Sequence, residues 1–320
     1  MFARLPFLAA ALMLATLPLR AGDFAPPPDA SATPAPAADS SLTDSTPAPS
    51  KLKTSYEFDA DIAYVGFART NFGMGIKGDV SEVNSGAHLI ADPQYNDGPI
   101  FRLGLAYQNY AFGFSKAAPL PDVLRSETAI VGMDFELFNS WLVRVEADPG
   151  FYGDGRSVGF RDFNVPFLIG GSYIASDTLQ WIVGLDVDVN RQLPIIPAVG
   201  VHWTITPEWV LNAVLPDPRL EYDWSKNLTL YLGGGVDDGT YRVDRDFGTD
   251  IGLPKLNGAV VEYDEVRIGT GFSWKASKDI TVDIEGGYLP YREFDFHRAG
   301  MHFSNDGGAP YGRMSINAQF

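Results

Sequence analysis

The sequence predicts an all-β fold, a closed antiparallel up-and-down transmembrane β-barrel of 12–14 strands, with 14 the better count. Three observations carry this. Apolar and polar residues alternate with period two from Thr54 to the C-terminus, the connections alternate between short and long, and all six tryptophans fall near the short ones. Alternation places each apolar set on one face of a strand.

Strand length separates a membrane barrel from a soluble sheet. Tyr56, Phe58, Ala60, Ile62 and Tyr64 alternate with Glu57, Asp59, Asp61 and Ala63. Leu179, Trp181, Val183, Leu185, Val187 and Val189 alternate with Gln180, Ile182, Gly184, Asp186, Asp188 and Asn190. Ile280, Val282, Ile284 and Tyr288 alternate with Thr281, Asp283, Glu285 and Gly287. Runs of this length suit a tilted crossing of the hydrocarbon, which takes about 9–11 residues, whereas soluble strands usually have about 5–6.

Short polar turns are read at Asn139-Ser140, Ser176-Asp177, Pro207-Glu208, Ser225-Lys226-Asn227 and Ser277-Lys278-Asp279. Long connections are read over residues 115–125, 152–160, 190–196, 238–258 and 290–309. Short turns on the inner side and long loops outside are the habit of outer-membrane barrels. Residues 91–99 break the rule, being internal but not short, and Pro216-Asp217-Pro218 is tight for an outer loop. The count is 14 if residues 208–215 and 219–224 form a hairpin and 12 if that region is irregular. Either even number leaves both chain ends in the periplasm.

Trp141, Trp209 and Trp224 lie beside a short turn, with Trp181, Trp203 and Trp274 slightly farther along their strands. At least Trp141, Trp181, Trp203, Trp224 and Trp274 share the apolar face. An amphipathic ring is at home at the headgroup boundary, so the six are read as a belt at one rim.

The first 21 residues read as a signal peptide. Arg4 precedes an apolar run from Leu5 to Leu17, too short to span about 30 Å of bilayer as a helix. Residues 22–53, rich in Ala, Pro, Ser and Thr, read as a disordered periplasmic leader, because they hold too little apolar surface to offset chain entropy. The barrel is then 54–320, placed in the bacterial outer membrane. The 320-residue chain has no cysteine and a net charge of −16. That excludes disulfides, thiolate metal sites and a cysteine nucleophile, and argues against nucleic-acid partners.

At the C-terminus Met314, Ile316, Ala318 and Phe320 alternate with Arg313, Ser315, Asn317 and Gln319. This resembles the terminal strand of bacterial outer-membrane proteins, and the resemblance implies recognition by the barrel-assembly machinery through those four residues. A second stretch is similar to an uncharacterised, porin-like family of outer-membrane barrels known only as a domain of unknown function. It runs from Val214-Leu215-Pro216-Asp217-Pro218-Arg219-Leu220-Glu221-Tyr222 to Leu228-Thr229-Leu230-Tyr231-Leu232-Gly233-Gly234. That likeness, extending over residues 54–320, implies the barrel and no known activity.

If the apolar faces meet lipid, parity gives the lumen set: Glu57, Asp59, Asp61, Asp134, Glu136, Glu146, Asp186, Asp188, Glu221, Asp223, Asp283 and Glu285, opposed by Arg144, Arg219, Arg267 and Arg313. These groups either line an aqueous path whose acidic excess favours cations or pair across a filled interior. The expectation is a channel for small solutes with weak cation preference. The alternatives are a non-conducting structural or surface-binding barrel and, after it, an outer-membrane enzyme. No catalytic set, cofactor or metal site is read. His297 and His302 near Asp295 and Asp306 lack useful ligand spacing, and Asp237, Asp238, Asp244, Asp246 and Asp250 do not match a calcium-loop pattern.

Overall fold

The computed structural model describes residues 52–320 except 74 and 139. The expected signal peptide, nearly all of the leader, and Asn139 of the first short turn lie outside the described residues. Fourteen strands follow in order: β1 (Leu52–Asn71), β2 (Lys77–Tyr95), β3 (Ile100–Phe114), β4 (Val123–Leu137), β5 (Trp141–Ala147, continuing as Gly150–Gly153), β6 (Phe163–Asn164, continuing as Phe167–Ser176), β7 (Leu179–Val187), β8 (Ile195–Thr204), β9 (Trp209–Ala213), β10 (Arg219–Ser225), β11 (Leu228–Arg242), β12 (Val260–Lys275), β13 (Ile280–Phe296) and β14 (Met301–Asn305, continuing as Ala309–Gln319). Pro149 and Pro166 fall in two of the three interruptions, where a missing N–H breaks the ladder.

Each strand pairs antiparallel with its sequence neighbour, and β14 returns to β1 with Phe58 opposite Ala318. The ring is therefore closed and has no free sheet edge along its inner half. Phe320 seals the seam, its backbone N–H and C=O bonded to Tyr56 at 2.9 and 3.0 Å. No helix among the described residues is long and apolar enough to cross a membrane. The outward face carries Tyr56, Ile62, Leu103, Leu105, Val183, Leu185, Leu232, Ile268 and Ile284, all exposed. So broad an exposed apolar surface has no place in water and faces lipid.

Several expected boundaries move. Leu52 and Lys53, read as the end of the leader, already pair with Tyr95 and Gln94. β2 runs to Tyr95, so the awkward internal connection shrinks to 96–99. Asn96 and Asp97 take positive φ there, which their short polar side chains tolerate. The hairpin of β9 and β10 exists, which sets the count at 14 and removes 12. The longest loop is 243–259 rather than 238–258, because Asp238 to Arg242 remain paired with β12. Residues 290–309 are not one loop either: β13 continues to Phe296, and β14 starts at Met301.

The ring is not uniform in height. β9 has 5 residues and β10 has 7, whereas β1 has 20 and β13 has 17. Above Gly233 the edge of β11 has lost β10. Its end instead meets β5, where the Asp154 N–H donates to the Arg242 carbonyl at 3.2 Å. The outer part of the barrel therefore closes on nine strands, β11 to β14 and β1 to β5, while β6 to β10 stop lower. Nine strands enclose little more than side chains need. That upper ring is packed with aromatic residues: Phe112 meets Phe294 at 5.0 Å, Tyr110 meets Tyr263 at 4.9 Å, and Phe296 meets Phe303 at 6.0 Å. Phe247 from the long loop and Leu256 complete this core.

The narrowing leaves a gap in the wall. The β8–β9 ladder starts at Val201 opposite Ala213, so residues 195–200 have no strand on that side. Pro197, which donates no N–H, sits on this edge. The loop 188–194 crosses the gap to β11 and β12. Its Arg191 bonds Asp186 and Asp238, and the Gln192 N–H donates to Glu262 at 2.9 Å.

Candidate functional site in the barrel lumen

Beneath the aromatic core the wide ring keeps a cavity of about 600 Å³. Its lining extends from Lys275 and Thr281, beside an inner turn, up to Tyr152 and Thr240 under the core. The walls are the polar faces of the strands. The lining carries twelve Asp and Glu against six Arg and Lys, an excess that the surrounding Arg side chains do not cancel.

Of the residues expected in the lumen, Glu57, Asp59, Asp61, Arg144, Glu146, Asp186, Asp188, Arg219, Glu221, Asp283 and Arg313 are on this lining. Arg313 lies 3.6 Å from Asp61 and 3.5 Å from Asp217. Arg219 is 3.9 Å from Asp283 and stacks over the Tyr231 ring at 4.2 Å. The other five are elsewhere. Asp134 pairs with Arg144 at 2.6 Å outside the cavity, and Glu136 and Asp223 are exposed near the inner turns. Arg267 is buried against Asp237 and Glu265, and Glu285 accepts from Tyr311. Parity found their strands; it could not tell where the wide ring ends and the filled ring begins.

Sequence reasoning missed His88, Arg102, Asp148, Arg191, Asp217, Asp237, Asp238 and Lys275, all on the lining. The apolar face of β2 passes through Ser85 and Ala87, residues too small and mixed to announce a stripe, so His88 had no visible parity. Arg102 is the hub of the inner end, 3.0 Å from Glu146, 3.5 Å from Asp92 and 3.6 Å from Glu57. His88 Nε2 faces Asp59 at 2.9 Å and Glu57 at 3.5 Å. Above the cavity, Arg292 contacts Glu82 at 2.8 Å and Glu265 at 3.2 Å, and the Tyr263 hydroxyl lies between the two carboxylates, 2.6 Å from Glu82 and 2.7 Å from Glu265. Here Arg–carboxylate pairing does fill the interior, so the two readings of the lumen divide by height.

The neighbouring connection holds two carboxylates of the outer acidic loop. The Asp246 N–H, at 3.0 Å, and the Ser157 hydroxyl hold the Asp244 carboxyl below the usual carboxylate range. Asp250 pairs with Arg156 at 3.0 Å. Burial, aided by Arg298 and His302, holds the His297 imidazole below its ordinary range, while His302 binds Asp295 at 2.7 Å.

The six tryptophans all lie toward the inner-turn end. Five are exposed and Trp141 is half-buried against Tyr173 at 5.2 Å. Trp209, which sequence parity left open, faces Tyr222 across the hairpin on the outward side. At the C-terminus Met314, Ile316 and Phe320 are exposed, and Ala318 is buried.

No curated protein matches the sequence. Among solved structures the chain is similar to the COG4313 outer-membrane channel from Pseudomonas putida F1, at 8% identity and TM-score 0.46, over 83% of this chain and 95% of that one. It is also similar to the Pseudomonas putida toluene transporter TodX, at 8% identity and TM-score 0.42, over 83% and 89%. A Pseudomonas aeruginosa FadL homologue matches at 10% identity and TM-score 0.35, over 84% and 90%. None of the three lends a solute or a residue role to this chain. One family pattern, described as Domain of unknown function (DUF6268), matches residues 131–308, more than half of the sequence.

Proposed function

We propose, from the premise that this chain belongs to the family described as Domain of unknown function (DUF6268), that this outer-membrane barrel is a channel for small solutes with a weak preference for cations. The observation that supports it is the cavity inside the wide ring, with twelve carboxylates against six basic side chains on its wall. A path lined by one excess charge in low-dielectric walls concentrates the opposite ion. The expected result is conductance steps in planar bilayers. In a KCl gradient the current reverses on the potassium side of zero. Replacing Asp61 and Glu221 by Asn and Gln moves that reversal toward zero. Anion-side reversal in the unmodified protein would sink the cation preference.

The aromatic core favours a second reading, a non-conducting structural barrel, and absence of any step from folded protein would select it. In either case the Trp belt sets the inner membrane boundary, and Met314, Ile316, Ala318 and Phe320 serve assembly. Deleting Phe320 removes both backbone bonds to Tyr56. Slower accumulation of folded barrel in the outer membrane is expected, read as less heat-modifiable protein on gels. Equal accumulation would remove that role.

A further inference from the structure

The geometry points to a divalent transition-metal site in the lumen, made by His88, Glu57 and Asp59. Register brings them together: Asp59 is the direct cross-strand partner of His88, and Glu57 lies two residues along on the same face. One ring nitrogen, Nε2, faces one oxygen from each carboxylate, at 2.9 Å to Asp59 Oδ2 and 3.5 Å to Glu57 Oε1. Tetrahedral zinc with bonds of about 2.0–2.1 Å puts its ligand atoms about 3.3 Å apart. The two observed separations bracket that edge length, and all three ligand atoms lie within 4.8 Å of one another.

The remaining oxygens are already held. Asp59 Oδ1 accepts from Asn317 Nδ2 at 2.5 Å, and Glu57 Oε2 lies 3.6 Å from Arg102. Outer partners of this kind fix the orientation of metal-binding carboxylates. Arg102 contacts Glu57, Asp92 and Glu146, and His88 contacts Glu57 and Asp59. Three protein ligands facing a cavity leave a fourth position open, and imidazole among them selects zinc, copper or nickel over calcium or magnesium.

The competing arrangement is a protonated imidazole bridging two carboxylates with no metal, and equilibrium dialysis of the purified full-length barrel against ZnCl2 separates the two. The expected result is one zinc ion retained per chain. Retention is lost in His88→Ala and in the isosteric Asp59→Asn, and falls about 10–100-fold in affinity in Asn317→Ala. His302→Ala, at the exposed outer end, retains zinc as the unmodified protein does. Heat-modifiable gel migration establishes that each variant is folded. No zinc retained by the folded, unmodified protein, or equal retention by His88→Ala and His302→Ala, would overturn the site. Conductance in metal-free KCl is read separately, so failure of the channel reading and failure of the metal site are distinguishable.

Discussion

Replacing Arg292 with alanine destabilises the barrel by about 3–5 kcal/mol, the largest stability loss expected from a single substitution here. Arg292 is 1% exposed and stands between Glu82 and Glu265, both fully buried in the upper ring. Its removal leaves Glu82 without its arginine in a packed interior, with the single Tyr263 hydroxyl shared between the two carboxylates. Arg267, 3.5 Å from Glu265, is already engaged with Asp237, and Phe112, Phe294 and Tyr263 belong to the packed core beside them. Urea unfolding from lipid vesicles, followed by tryptophan fluorescence, measures the loss. Adding Glu82→Gln to Arg292→Met removes one orphaned charge and replaces the lost volume, so partial recovery is expected. A loss below about 1 kcal/mol for Arg292→Ala would mean that the upper ring is wetter than its packing indicates.

Arg191→Ala opens the gap that β9 and β10 leave in the barrel wall. Arg191 ties the loop 188–194 to its own strand end through Asp186 and to β11 through Asp238, across the gap left by β9 and β10. All three side chains are buried. Breaking such a pair leaves uncompensated charge, and about 3 kcal/mol against the closed loop changes the closed-to-open ratio roughly 150-fold. The loop retains the Gln192–Glu262 and Arg298–Val189 bonds, so it loosens without unfolding. Longer or larger conductance steps than those of the unmodified protein are expected, and Asp238→Asn, which weakens the same tie, gives a smaller change. Identical step size and open time in Arg191→Ala would show that the loop does not gate the cavity.

The barrel was legible because lipid and backbone chemistry impose simple rules on the chain. Strands such as 179–187 and 280–296 must show an apolar stripe to lipid and pair every backbone group, which writes period two into the sequence. The hairpin of β9 and β10 was legible only as a choice, since two short segments around Pro216 and Pro218 carry too few alternations to decide. Much of the lumen followed by parity from the stripe. The cavity itself did not. Whether Arg267 lines open space or fills a core depends on how high the ring stays wide, and that depends on Arg242 reaching Asp154 across 88 residues of sequence.

Taken alone, the sequence determined the fold class, the membrane-facing surface and the sign of the lumen charge, because each follows from local alternation and composition. Tertiary structure decided which charges meet. The register of β1 on β2 sets His88 against Asp59, and the nine-strand closure buries Arg292 with Glu82, contacts 29 and 210 residues apart in sequence. Such pairings are fixed by strand register and ring height, long-range geometric quantities for which a period-two pattern holds no information.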